Sequence, residues 1–205
     1  FNQGDGLKMA LDIGAAPYGN WSGCHATGWD RNAPEYGDVN VGDKFQKHSY
    51  IFGLLINAEG RRFVDEGADF HSFTYAKYGG EVLKQTGQFA WQVFDSKVKD
   101  ILRNEYRIKF VTKVTGNTLE ELSEKLEGVN AKEFLNTVNA YNANVNHDVK
   151  FNHTILDGKG TENIYPPKTN WAQALDTGPF EAYQTTCGIT FRSEEHTSEL
   201  QSPMF

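Results

Sequence analysis

Hydrophobic and polar positions change period several times along this chain, and each change predicts a different element. Leu7, Ala10, Leu11 and Ala15 recur on one helical face, so residues 7–16 are expected to form a short helix, closed by Pro17 and Gly19. Residues 20–47 carry Gly, Asp, Asn and Trp in no regular period and read as a long ordered loop. The apolar run YIFGLLIN at 50–57 reads as a strand, which Ala58-Glu59-Gly60 turns toward residues 62–65 to make a hairpin. Residues 74–84 are expected as a helix and 88–95 (QFAWQVFD) as another strand.

Two further helices have start signals. Thr118 and Glu121 form a capping box ahead of Leu119, Leu122 and Leu126, and Gly128 ends that helix. Asn130 and Glu133 repeat the cap, and Phe134, Val138, Tyr141 and Val145 follow at helical spacing. Residues 146–178 are rich in loop signals, and 180–191 read as a strand. The pattern is α+β, without a regular βαβ series or internal repeats.

Composition narrows the class. With 39% hydrophobic and 13% aromatic residues, the 205-residue chain can build a core. It has no apolar run of membrane-spanning length and is expected to be cytoplasmic. A net charge of −7 without a Lys/Arg block argues against nucleic acid as a partner. Cys24 and Cys187 have no CxxC companion, which argues against a disulfide framework or a structural zinc site. His48, His147 and His153 lack ligand spacing, so no metal is expected. The opening FNQGDGLKMA is neither a signal peptide nor a translation start, so the chain reads as beginning in mid-sequence. At the other end, RSEEHTSELQS coincides with one reading frame of a common DNA-sequencing adapter. Residues 192–205 are therefore expected to be a non-native tail.

Several segments carry chemistry. Gly4-Asp5-Gly6 opens a helix, where backbone N–H groups come close to a ligand and a carboxylate aims at it; alone, it is an ordinary capped turn. In its context, GDGLKMALDIGA resembles the GDG-hydrophobe-x-M-A-x-x-x-G-A segment of the fumarate reductase/succinate dehydrogenase flavoproteins. Trp21-Ser-Gly-Cys-His25-Ala resembles that family's next motif, with Ala26 in place of its Pro. The segment 53–66, GLLINAEGRRFVDE, matches the hairpin G-x-x-h-N-x-x-G-x-R-F-x-N/D-E, where h is apolar. Gln85-Thr86-Gly87, the TVNAYN helix at 137–142 and Thr186-Cys187-Gly188-Ile189-Thr190 follow in the family's order. ADF-x-x-x-TYAKYG and W-x-G-x-H-A are most similar to the tricarballylate dehydrogenase branch.

The resemblance implies FAD as cofactor, with Gly4, Asp5 and Gly6 beside it, and His25 as a ligand for a substrate carboxylate. It also implies a capping domain over residues 26–176, flanked by pieces of a flavin-binding α/β domain at 1–25 and 177–191. The catalytic Arg of fumarate reductases, counted back from Gln85, falls on Tyr75, and the family's proton-relay residues have no clear counterpart in 27–49. Tyr75 is thus the candidate proton carrier, the alternative being a tyrosine that merely packs. His71, Arg62 and Lys77 could supply positive charge for carboxylates, with His71 and Arg62 taken as substrate-binding, while Glu66 is expected to pair with an Arg of its own hairpin. The implied activity is hydrogen transfer across a C–C bond of a small polycarboxylate. The dinucleotide fingerprint and closing flavin segment are not in the chain, which therefore reads as an internal fragment. The competing class is a non-catalytic ligand-binding module built on the aromatic loop 21–36.

Overall fold

A computed structural model describes residues 3–21 and 23–189. Its centre is a five-stranded antiparallel sheet: β1 (Ala26–Asp30), β2 (Leu54–Ile56), β3 (Phe89–Phe94), β4 (Lys113–Gly116) and β5 (Phe180–Ile189). The strand order is β1-β5-β3-β2, with β4 also on β5. Strand β5 is long enough to hold two partners on one edge, β4 against Phe180–Tyr183 and β1 against Thr185–Ile189, while β3 pairs along its other edge.

Every residue of β3 is buried, so both sheet faces are covered, and the period of two sorts its side chains. Phe89, Trp91 and Val93 join Leu54, Ile56, Phe180 and Ala182 against α3 (Leu119–Ser123) and α4 (Ala131–Ala143), whose Leu122, Phe134, Val138 and Tyr141 fill that core. Ala90 faces the other way, with Leu55, Tyr50 and Trp171, toward Tyr78 and Val82 of α2 (His71–Leu83).

The two helix starts form as expected, with local differences. Thr118 Oγ1 accepts from Glu121 N at 3.1 Å, but the Glu121 carboxylate reaches back to Asn117 N, one residue before the cap. Asn130 Oδ1 accepts from Glu133 N, while the Glu133 carboxylate turns outward to Arg61.

The 50–57 strand is shorter than expected. Ser49–Phe52 forms a 3-10 turn, and the ladder starts only at Leu54. The hairpin reduces to one bridge between Ile56 and Arg62, closed by the Asn57–Gly60 turn with Gly60 at φ +81°. The cause is Glu66: its Oε1 accepts Leu55 N at 2.9 Å, so a buried carboxylate takes the bond that a second strand would have made.

Strand β1 lies inside the stretch expected as loop, and β4 was not anticipated. Helix α1 (Asp5–Asp12) buries none of its residues, and Leu7, Met9 and Ile13 are exposed. Residues 180–189, expected as a return segment, form the centre of the sheet. The expectation for residues 192–205 lies outside the described residues. No helix among the described residues is long and apolar enough to cross a membrane.

Candidate active site

The site is built where α2 lies on β1. A Cβ at Gly79 would stand 2.4 Å from the backbone N of Thr27, so the helix touches the strand backbone with nothing between. Tyr75 is one turn before Gly79 and therefore on the same helix face. His25 is two residues before Thr27, at the entry to β1. The close approach brings these side chains together: His25 Nε2 and the Tyr75 hydroxyl are 2.6 Å apart, with ring centroids separated by 5.2 Å. Which atom donates depends on the imidazole tautomer. The helix start is anchored by a 2.7 Å hydrogen bond between Thr74 Oγ1 and the Tyr50 hydroxyl.

A second layer stands behind this pair. Lys47 is pinned beside β1 through its own N–H to Gly28 O and through Gln92 Nε2, which donates to Lys47 O. His48 is thereby placed with Nε2 2.9 Å from Thr27 Oγ1 and its ring 5.1 Å from that of Tyr75. The His48 ring stacks on His71, the first residue of α2, at 5.4 Å. Arg103 comes next: its NH1 lies 3.5 Å from His71 Nε2, at the outer limit of a hydrogen bond, and its Nε donates to Glu105 Oε1 at 2.8 Å. A guanidinium only donates, so in any hydrogen bond here His71 Nε2 is the acceptor.

Burial and positive charge favour the neutral forms of His48 and His71. Burial first, and then the nearby His71, Arg103 and Lys47, together push His48 down to about 4. His71 is lowered by burial and by Arg103, with Glu105 opposing. Burial also lowers Lys47 to about 8 against the pull of Asp30 and Glu105; its ammonium donates to the carbonyls of Lys44, Phe45, Gln46 and Glu105. Among the described residues, no group of three His, Cys, Asp or Glu side chains could hold a metal ion.

Of the residues singled out from sequence, Tyr75, His25 and His71 are gathered here. Arg62 is not. It is 6% exposed, and its fork is taken up by Glu66 (3.1 and 2.5 Å) and by the carbonyls of Pro166 and Pro167, over the ring of Tyr141. Arg62 therefore ties the 57–66 turn to the 166–167 loop and α4, and Glu66 is the partner expected for it. Lys77 is exposed and lies over Tyr78. Gly4, at φ +85°, caps α1, and a Cβ at Gly4 or Gly6 would meet nothing within 4 Å. The aromatic loop does not gather into one surface: Trp29 packs on Phe45, while Trp21 and Tyr36 are exposed. His48 and Arg103 were missed because neither belongs to a motif; only the packing of α2 on β1 reveals them.

The antiparallel sheet, its flanking helices and this corner make up an α+β unit. Over 91% of its length the chain shares its fold with part of a flavocytochrome c3 fumarate reductase in an open conformation, with a TM-score of 0.57, 20% identity and coverage of 28% of that chain. It also overlays on a 3-ketosteroid delta1-dehydrogenase from Sterolibacterium denitrificans, with a TM-score of 0.55, 18% identity, and coverage of 91% of this chain and 36% of the other. No family model matches the chain. In sequence it is 31% identical over 137 residues, 66% of its length, to "Fumarate reductase (cytochrome)" of Shewanella frigidimarina. It is 30% identical over 97% of its length to "Probable fumarate reductase Ifc3" of the same organism. It spans 21% and 31% of those two proteins. Together these likenesses support the fumarate reductase-type flavoprotein family that the motifs resemble.

Proposed function

We propose that this chain is the substrate-capping part, over residues 26–176, of an FAD-dependent oxidoreductase that removes or adds hydrogen across a C–C bond of a small, tricarballylate-like polycarboxylate. The observation that carries the reading is the 2.6 Å contact between His25 and Tyr75, two residues 50 positions apart in sequence. Both had been singled out from the family motifs.

The residues present fit one edge of the cofactor. A Cβ at Gly4 or Gly6 would meet nothing within 4 Å, and Asp5 sits in the first turn of α1, where a ligand could lie beside them. FAD, when bound, supplies the hydride chemistry. The chain's own residues handle the proton and the charge. In the oxidative direction Tyr75 takes the proton from the substrate carbon while its phenolic proton passes to His25 Nε2; reduction reverses both transfers. His71, neutral and at the mouth of the corner, faces a substrate carboxylate.

The test is anaerobic mixing of the flavin-loaded whole protein with candidate substrates while flavin absorbance is followed. Tricarballylate should bleach the flavin, and a 3-ketosteroid, of the class named by the second structural neighbour, should leave it oxidised. Bleaching by the steroid alone would overturn the polycarboxylate reading.

A further inference from the structure

The corner behind Tyr75 sets two cations, Lys47 and Arg103, against two carboxylates, Asp30 and Glu105. Every charged neighbour acting on His48 is a base: His71, Arg103 and Lys47. The carboxylates nearby are Glu105, bonded to Arg103, and Asp30, 3.8 Å from Lys47. Lys47 is wholly buried and spends its ammonium on four carbonyls. Arg103 is placed differently. Its side chain is 49% exposed, its backbone N–H is tied to Ser49 Oγ, and Glu105 fixes its Nε edge so that NH1 turns toward His71.

We infer that Arg103, acting with His71, binds a carboxylate of the substrate. The inference deepens the reading given above and rests on it for the substrate class. A guanidinium keeps its charge at every working pH and offers a second edge to an incoming carboxylate while its Nε edge stays on Glu105. The neutral imidazoles beside it cannot supply that charge. From Tyr75 the row crosses His48 and His71 in ring spacings of 5.1 and 5.4 Å. A polycarboxylate with one carbon at Tyr75 would meet His71 and Arg103 with its far carboxylate, the one most distant from the reacting carbon. An anion seated there would stabilise protonated His71, and by linkage a more acidic solution would tighten its binding. The groups facing His71 in this balance are His48, Arg103 and Glu105.

The experiment uses the 205-residue chain without flavin. Imidazole NMR signals of His71 and His48 are followed while tricarballylate or succinate is added at constant ionic strength, with sulfate as the control anion. The expected result is a saturable shift with both organic acids, together with a raised titration midpoint for His71. Arg103→Gln should weaken binding by about tenfold or more, the loss expected for a charge-assisted hydrogen bond, and Arg103→Lys should recover part of it. An unchanged dissociation constant in Arg103→Gln, or an equal response to sulfate, overturns the inference. If Arg103→Gln binds both acids as the unaltered chain does, Arg103 is excluded and the polycarboxylate reading survives. If the unaltered chain binds neither acid, both fall.

Discussion

His48 shows how much of this site is decided by surroundings. Burial first, and its basic neighbours after it, make the neutral ring the stable form, with the titration point lowered to about 4 from an ordinary 6.5. The unfolded chain therefore takes up this proton before the folded one does. Above pH 6.5 neither state is charged and His48 adds no pH dependence. As pH falls from 6.5 to about 4 the unfolded state gains, and stability is lost by an amount on the order of a few kcal/mol. His48→Asn removes that proton, so denaturant titrations from pH 7 to pH 4 should show a shallower decline in the variant. Parallel declines would mean that His48 is not buried neutral. In sequence this residue was one histidine among several in a polar stretch. Tyr75 and His25 were legible because each sits in a motif, whereas Arg62 misled for the same reason: its motif was visible, but its burial on Glu66 was not.

At the scale of elements, the contact of α2 on β1 sets the site. Gly79 permits it, and its neighbour Gly80 provides an internal control. A Cβ at Gly79 would collide with the Thr27 backbone, whereas one at Gly80 meets nothing within 4 Å. Gly79→Ala should destabilise the chain by about 1–3 kcal/mol, as overpacking does, and lengthen the Tyr75–His25 contact. Gly80→Ala should be neutral or stabilising by up to about 1 kcal/mol, from helix propensity. Thermal melts of the two variants check this; equal effects would remove Gly79 as the spacer. Helices α3 and α4 were readable from caps and period because local bonds at Thr118 and Asn130 start them. Strand β1 was not readable, since ATGWD has neither apolar alternation nor a β-branched run and is buried only because α2 and β5 cover it. The second hairpin strand was expected and did not form, because Glu66 bonds to Leu55 N in its place.

At the scale of the molecule, residues 26–189 are organised around one sheet whose longest strand joins both ends of that range, while α1 stands apart with Leu7, Met9 and Ile13 exposed. The contacts assigned to FAD in this chain are confined to Gly4, Asp5 and Gly6, at the start of a helix that buries none of its residues. The purified 205-residue chain mixed with FAD should accordingly emerge from gel filtration colourless; stoichiometric retained flavin would contradict that assignment. The central claim is that Tyr75 carries the proton in a flavin-dependent hydrogen transfer. Its most direct test is the rate of flavin reduction by saturating tricarballylate in the whole protein, with Tyr75→Phe compared to the unaltered enzyme. The substitution removes one hydroxyl and the bond to His25 while leaving the ring in place. Substrate affinity should largely persist and flavin reduction should slow by about a hundredfold or more, the usual contribution of a general acid–base group. Reduction at the unaltered rate under saturating substrate would show that Tyr75 only packs, and the account of this site would fail.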